Sequence, residues 1–287
     1  MLLLLLLCPM AQATWSIVAA DPATGQVGGA VTSCVGALDT VVVYGGVPGV
    51  GAVHAQAQLS TAGRDEAMRL LAKGASPEEI ITAITAMGFD ANAALRQYGV
   101  VDLQGRAAAW TGQGNTDWAG DQQGQVQGFT WSAQGNILTG PEVIDQTVAG
   151  FQADGCDLAE RLMRGLEAGA DHGAGDSRCT GSGIGSDSAS ITVQSADGSD
   201  VVRLSVVDTS PAAAVVELRG QFDAWRVESP CPEVDPPADT GADDSGAAGD
   251  EEGEGCGCAA AGSGVGIGLA LVAGWAARRR RAGALAR

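Results

Sequence analysis

The sequence predicts a single α+β domain, a four-layer αββα sandwich in which two β-sheets lie face to face and each carries helices on its outer face. Between residues 14 and 229, segments with strand alternation and segments with helical period follow in the order strands, two helices, strands, two helices, strands. Each sheet must bury an apolar face, and a helix pair is a natural cover for it. No internal repeat and no second domain interrupts this order.

A β-hairpin is predicted to open the domain. Residues 14–20 form an apolar, β-prone run, and Pro22 and Gly25 supply the dihedral angles of the turn that follows. Residues 26–33 form a second strand whose glycines let another layer pack closely. Further strands are predicted at residues 41–44, 50–56, 98–102, 106–111, 128–135, 188–194 and 201–207.

Helical periodicity predicts two helix pairs and a closing helix. Ser76-Pro77-Glu78-Glu79 is a strong helix start, because a capping serine and a proline precede acidic residues in the first turn. The predicted helices lie at residues 65–73, 77–87, 141–152, 157–168 and 212–222.

The N-terminal residues resemble an export signal. A short run of leucines is followed by Ala11-Gln12-Ala13, which resembles the A-x-A cleavage site of a signal peptide, so residues 1–13 are predicted to be removed by signal peptidase. The alternative is a buried N-terminal strand. Cleavage after Ala13 would make Thr14 the first residue of the mature chain.

The C-terminal residues also resemble a sorting signal. Residues 230–255 are rich in Pro, Gly, Asp and Glu and predict an acidic disordered linker. Residues 259–277 are uncharged and just long enough to span a bilayer, and the arginines at 278–281 predict a cytoplasmic end. With Cys256-Gly257-Cys258, residues 256–287 resemble the MYXO-CTERM sorting domain. That resemblance implies cleavage by a myxosortase-like enzyme and display on the cell surface or outer envelope; an ordinary single-pass anchor is the alternative.

Charge and cysteine content limit the classes of function. Acidic residues outnumber Lys and Arg by 34 to 16, for a net charge of −18, and an acidic domain repels phosphate backbones, so we expect no nucleic-acid partner. Four of the seven cysteines lie in the domain, and export favours two disulfides. Three pairings are open, of which we favour Cys156–Cys179 with Cys34–Cys231. A four-cysteine metal site is the alternative, but no CxxC spacing supports it, and we expect no metal and no cofactor.

A threonine at the first position can act as a nucleophile. Its hydroxyl needs a base within hydrogen-bond reach, and its own α-amino group, with a reference pKa of about 7.7 to 8.0, is partly neutral near pH 7. This pairing is used by N-terminal nucleophile (Ntn) hydrolases, which cleave amides through an acyl-enzyme. Thr14 is therefore the candidate nucleophile, and the alternative is that it merely starts the first strand.

Four other residues, Ser33, Asn136, His54 and Asp21, are candidates for the same site. Ser33 on the neighbouring strand is expected to hydrogen-bond the amine, and Asn136 to donate to an oxyanion or to cap a loop. His54 faces the site or is a satisfied structural histidine, and Gln56 has similar standing. Asp21 orients the N-terminus or caps its own turn. His172 lies in a polar loop and is expected to be solvated.

Seven collinear stretches, which together cover roughly residues 14–208, carry a family resemblance. They are TWSIVAADPATGQVGGAVTSCVGA (14–37), GVGAVHAQAQ (49–58), YGVVDLQGRAAAWTG (98–112), WAG (118–120), QGNILTGPEVID (134–145), LAERLMRGLEAG (158–169) and GDSRC (175–179). These stretches resemble the bacterial family of domain of unknown function 1028, DUF1028, which is described as Ntn-hydrolase-like. The resemblance implies the Ntn fold and homo-oligomers that pair through their helices. Members usually carry this threonine directly after the initiator methionine.

The sequence departs from that family at two places. Many members have Lys or Arg at the position of Cys34, and the only lysine in this chain is Lys73, in a predicted surface helix. Residues 59–63 replace a stretch that often contains Asn-Pro. Two hypotheses follow: an exported Ntn-type amidohydrolase acting on a small amide or peptide, or a non-catalytic binding module at the cell surface on the same scaffold.

Overall fold

Two antiparallel sheets form the framework of the computed structural model, which describes residues 14–116, 118–171 and 174–232. The larger sheet has the strand order β10-β9-β2-β1-β8-β7, and the smaller sheet has the order β3-β4-β5-β6. The strands are β1 (Thr14–Asp21), β2 (Gln26–Ser33), β3 (Tyr44–Val47), β4 (Gly51–Ala57), β5 (Arg96–Asp102), β6 (Ala107–Thr111), β7 (Gly120–Val126), β8 (Phe129–Asn136), β9 (Ser188–Gln194) and β10 (Asp200–Val206).

Five α-helices cover these sheets in the described residues. They are α1 (Thr61–Leu71), α2 (Pro77–Ile84), α3 (Glu142–Gln152), α4 (Leu158–Gly169) and α5 (Ala214–Glu228). The predicted start of α2 is confirmed: Ser76 and Glu79 form a reciprocal capping box, and Pro77 occupies the first turn. Asp157 caps α4 by a single side-chain hydrogen bond, in which it accepts from the backbone N–H of Glu160.

The alternation of side chains along β1 places its two faces in different surroundings. Trp15, Ile17 and Ala19 pack into a large apolar cluster with α3, α4 and α5. Val18 and Ala20 point to the opposite face and pack against residues of the smaller sheet. The outer face of the smaller sheet packs on α1 and α2. The space between the two sheets is called the inter-sheet layer below.

Most predicted elements are confirmed within a few residues, and the exceptions have local causes. Helix α1 begins at Thr61 because the side chain of Ser60 accepts from the backbone N–H of Gly63. Residues 41–44, predicted as a strand, mostly belong to a 3-10 turn at Thr40–Val43 that Asp39 caps. Strand β7 was not predicted, because its two glycines and Asp121 are residue types depleted in strands and only Val126 is apolar, as an edge strand of the sheet tolerates.

The predicted disulfide pairing is wrong. The structure joins Cys34 to Cys179 and Cys156 to Cys231, with Cα–Cα distances of 5.9 and 5.7 Å. The loop that contains Cys179 folds over the end of β2, where Cys34 lies. Helix α5 runs back to the α3–α4 connection, and an ion pair between Arg226 and Asp157 brings its end beside Cys156. All four sulfurs are oxidised, so the alternative four-cysteine metal site is excluded in this structure.

Several predicted segments lie outside the described residues. They are the leader at 1–13, most of the linker, the sorting segment with its apolar stretch at 259–277, and His172. Within the part of the chain that the structure describes, no helix is both long enough and apolar enough to cross a membrane.

Replacing Cys156 and Cys231 together by serine is expected to lower the free energy of unfolding by about 2–4 kcal/mol, because the disulfide restricts the unfolded chain. Denaturant unfolding of the oxidised proteins measures this loss. The mixed variant Cys156→Ser/Cys179→Ser tests the pairing, since it should have two more free thiols than the unsubstituted chain, at Cys34 and Cys231. A Cys34–Cys231 disulfide in that variant would contradict the structure.

Candidate functional site

Three of the five candidate residues meet at one end of the larger sheet. Strand β1 lies between β2 and β8, and Thr14 is the register partner of Ser33 on one side and of Asn136 on the other. The hydroxyl oxygens of Thr14 and Ser33 are 3.1 Å apart, within hydrogen-bond distance. All three residues are buried. The predicted hairpin accounts for Ser33 lying beside Thr14, whereas the pairing of β1 with β8, which brings Asn136 to Thr14, is found only in the structure.

Beneath Thr14, buried amide side chains connect the two sheets. Gln56 on β4 accepts from the Ser16 hydroxyl at 2.6 Å and donates to the backbone carbonyl of Thr14 at 3.3 Å. It also donates to Oε1 of Gln97 on β5 at 2.8 Å. On the other sheet, Gln134 donates to the Ser16 hydroxyl at 2.6 Å. These residues fix the backbone at the start of β1, because each polar group lies where water cannot substitute for its partner.

The inter-sheet layer therefore has two chemically different ends. We call the first the polar end, which consists of Thr14, Ser16, Ser33, Gln56, Gln97, Ser132, Gln134 and Asn136. The other is a small apolar cluster of Val18, Ala20, Val27, Tyr44, Ala52 and Val101. Burial of apolar area holds the sheets together at the second end, whereas hydrogen bonds between amides do so at the first.

A loop at Gly175–Cys179, here called the bridging loop, crosses the sheet beside Thr14. Asp176 accepts from the backbone N–H of Cys34 at 2.8 Å, just after β2, and forms a β-bridge with Leu138, just after β8. Its fully buried carboxylate also forms an ion pair with Arg178 at 2.8 Å. Because β1 starts between β2 and β8, the bridging loop borders the site at the N-terminal end of β1. Sequence reasoning did not select Asp176 or Arg178, although the GDSRC stretch at 175–179 contains both.

Asp21 lies at the other end of β1, about 23 Å from Thr14 at roughly 3.3 Å per residue. Its carboxylate accepts from the backbone N–H of Ala23 at 3.0 Å and from the Thr24 hydroxyl at 2.6 Å. Asp21 therefore stabilises the turn of the first hairpin, which is the structural alternative considered from the sequence, and the structure does not bring it to the site.

His54 lies in the middle of the inter-sheet layer and away from the polar end. Its ring stands edge-on to Tyr44 and fills the space above Gly29, where a β-carbon would lie 2.2 Å from Nε2. Neither ring nitrogen has a hydrogen-bond partner among the residues that the structure describes, and complete burial lowers the pKa of His54 to about 3. Gln56, two residues further along β4, is the residue of this strand that reaches Thr14.

Neither of the two positions considered from the sequence supplies a cation near Thr14. Cys34, where the resemblance to DUF1028 implies Lys or Arg in many members, lies in a disulfide, and Lys73 is exposed just after α1. Cys34, Cys179 and Asp187 place three ligand-type atoms within 4.8 Å of one another, but both sulfurs are in the disulfide. Asp187 is also engaged, since it accepts from the backbone N–H groups of Val35 and Gly36.

A cleft of about 240 Å³ lies elsewhere, between the end of α4, residues 183–186 and the start of α5. Glu167, Ile184 and Val215 are among its lining residues. None of its lining residues belongs to the polar end, so this cleft is separate from the Thr14 site.

The sequence model of one family, described as a family of unknown function (DUF1028), matches residues 14–218. The chain belongs to the DUF1028 family. It is similar to the crystal structure of a DUF1028 protein from Silicibacter pomeroyi, with 28% identity and a TM-score of 0.61 over 75% of this chain and 86% of that one. No curated protein matches the sequence. The match begins at Thr14, the residue at which β1 starts.

Replacing His54 by leucine is expected to reduce the acid sensitivity of the fold. The unfolded histidine takes up a proton near pH 6.5, whereas the buried ring does so only near pH 3, so stability is lost as pH falls through this window, by at most about 1.4 kcal/mol per pH unit. Denaturant unfolding at pH 7 and at pH 4 measures the free energy of unfolding of His54→Leu minus that of the unsubstituted chain. This difference should be about 2–3 kcal/mol larger at pH 4 than at pH 7.

The matched control is His172→Gln, which removes the other histidine of the chain. This variant should keep the pH dependence of the unsubstituted protein. A flat profile for His172→Gln, with an unchanged profile for His54→Leu, would show that the buried ring is not the group responsible.

Proposed function

We propose that the chain is an exported Ntn-type hydrolase that cleaves a small amide or peptide bond, with Thr14 as its nucleophile. The observation that carries the proposal is the position of Thr14. It directly follows Ala11-Gln12-Ala13 in sequence and starts an interior strand between Ser33 and Asn136. In this proposal, the two facing sheets with helices on their outer faces are the four-layer αββα sandwich of Ntn hydrolases.

Signal peptidase would create the catalytic group by cutting after Ala13. The freed α-amine takes the proton of the Thr14 hydroxyl, directly or through one water, as Oγ1 attacks the amide carbonyl of the substrate. The tetrahedral intermediate then expels the substrate amine, which receives that proton, and leaves an ester on Thr14. Water adds to the ester, with the α-amine again as base, and the acid product leaves with the hydroxyl restored.

The surroundings of Thr14 favour a small, polar, uncharged group as the part of the substrate that enters the site. The polar end offers hydroxyl and amide groups, and its hydrogen bonds match those that an amide makes. The charged pair in the neighbouring bridging loop, Asp176 with Arg178, neutralises itself. A short peptide or a small amide fits these groups better than a phosphate or a nucleotide does.

The proposed location is the cell surface or outer envelope. The MYXO-CTERM-like segment would hold the chain in the membrane until a myxosortase-like enzyme cuts the Cys256–Cys258 region. Two disulfides in the domain support an oxidising compartment outside the cytoplasm.

A non-catalytic binding module is the second candidate, and one observation favours it. Cys34 is oxidised where many members of the family have a cationic side chain, so no lysine near Thr14 lowers the pKa of its hydroxyl. In that case the polar end would bind the same kind of small amide or peptide without cleaving it.

Treatment of the mature protein with a β-lactone electrophile separates the two candidates. The hydrolase should form one adduct, located by mass spectrometry on Thr14, and Thr14→Ala should abolish it while Thr14→Ser keeps it. The matched control is Thr130→Ala, which removes a buried hydroxyl from the opposite end of β8 and should leave the adduct unchanged. An adduct that persists in Thr14→Ala, or none in a chain known to begin at Thr14, would contradict the hydrolase.

A further inference from the structure

We propose that the side-chain oxygen of Asn136 is the acceptor that holds the α-amino group of Thr14 once the leader is removed. The inference rests on the proposed function, since it assigns a role around the same N-terminus. It makes Asn136 a positioning residue for the amine that acts as base. This differs from the oxyanion donor expected from the sequence.

Two backbone carbonyl groups decide the orientation of the Gln97 side-chain amide. Its Nε2 lies 2.7 Å from the carbonyl oxygen of Gly135 and 3.2 Å from that of Gly120. Carbonyl oxygens can only accept, so the group that faces them must be the amide nitrogen. The side-chain oxygen of Gln97 therefore has to point to the other side, into the polar end.

That oxygen in turn orients two neighbouring amides. Gln97 Oε1 accepts from Nε2 of Gln56 at 2.8 Å and from Nδ2 of Asn136 at 3.1 Å. A flipped Asn136 would bring two acceptor oxygens together, so Asn136 must turn its nitrogen to Gln97 and its oxygen away. Two backbone carbonyls thus determine the direction of Asn136 Oδ1 through a single intermediate side chain.

Asn136 Oδ1 is a buried acceptor to which no group in the described part of the chain donates. Asn136 is fully buried, and this oxygen has no hydrogen-bond partner among residues 14–116, 118–171 and 174–232. A buried acceptor left unpaired costs about 1–3 kcal/mol, so a group that completes it is expected at this point of the molecule.

The N-terminus of the mature chain is the group that would complete it. Thr14 and Asn136 are opposite each other on β1 and β8, and both side chains face the inter-sheet layer, where such partners have Cβ atoms about 4.5–5.5 Å apart. In the uncut chain the Thr14 nitrogen is an amide with one hydrogen. After cleavage it becomes an ammonium with three hydrogens, or an amine with two, which supplies the missing donor.

The consequence for the chemistry is directional. With one hydrogen committed to Asn136 and the carbonyl of Thr14 held by Gln56, the α-nitrogen cannot rotate freely about its bond to Cα. Its lone pair, in the neutral form, is then held for the Thr14 hydroxyl. Leader removal would therefore both create the base and lock it in place.

The pKa of the Thr14 amine tests this inference independently of catalysis. It can be measured in mature full-length protein from the pH dependence of the α-amino 15N resonance after labelling with 15N-threonine. Asn136→Leu removes the acceptor and is expected to lower this pKa by about half a unit, because the ammonium loses a hydrogen bond. Asn136→Asp places a negative charge there and should raise it by about one unit or more.

Matched controls are Asn92→Leu and Asn92→Asp. Asn92 is an exposed asparagine just before the 3-10 turn that leads into β5 of the smaller sheet. Both should leave the amine pKa unchanged. The inference is overturned if neither Asn136 variant shifts this pKa by more than about 0.2 unit. Should Asn136→Leu fail to fold, Asn136→Asp and the following measurement decide.

A crystal structure of the unsubstituted mature protein gives the direct geometry. The distance from the Thr14 nitrogen to Asn136 Oδ1 should be about 2.7–3.2 Å. A separation above about 4 Å would overturn the inference even if Thr14 reacts with the lactone. Conversely, the expected distance and pKa shifts in a protein that forms no adduct would leave this inference standing and remove only the hydrolase.

Discussion

The side-chain amide of Gln97 decides how the polar end is built, because it meets two backbone carbonyls of the larger sheet. Its nitrogen must face Gly120 and Gly135, so its oxygen must face Gln56 and Asn136. Through Gln56 the same amide reaches the carbonyl of Thr14. A series of hydrogen bonds thus connects the smaller sheet to the first residue of β1, and the donor and acceptor of each bond are fixed. These hydrogen bonds hold the start of β1 in place, although this residue lies at one end of the inter-sheet layer.

The two ends of the inter-sheet layer hold the sheets together by different interactions. Apolar contacts around Val18 and Val101 do so without directional constraint. At the polar end the sheets are joined by amides and hydroxyls, which the proposed reaction would use. The bridging loop closes this end, and the Cys34–Cys179 disulfide ties it to the residue that follows Ser33. Strands and a disulfide-bonded loop hold the side chains of this site at fixed distances from one another, as the proposed reaction requires.

Local patterns in the sequence were sufficient for most of the elements and for part of the site. The predicted hairpin of β1 and β2 places Ser33 beside Thr14, since a short turn joins the two strands. The pairing of β1 with β8, which brings Asn136 to Thr14, joins strands that are far apart in the sequence, so local patterns do not predict it. The same reasoning failed for β7, whose composition is not typical of a strand, and for the cysteines, whose partners depend on how a distant loop and α5 fold back. Gln97 was missed because a glutamine in a strand gives no signal until the carbonyls opposite it are known. For Asp21, the turn-capping alternative is the one consistent with its position.

Everything chemical in this account depends on where the mature chain begins. The most direct measurement is N-terminal sequencing, with intact mass, of the protein exported by cells that express the full sequence. The account predicts a single N-terminus that reads Thr-Trp-Ser-Ile, with an unblocked amine. A mature chain that begins at another residue, or a Thr14 amine that is acylated, would contradict it and leave only the scaffold.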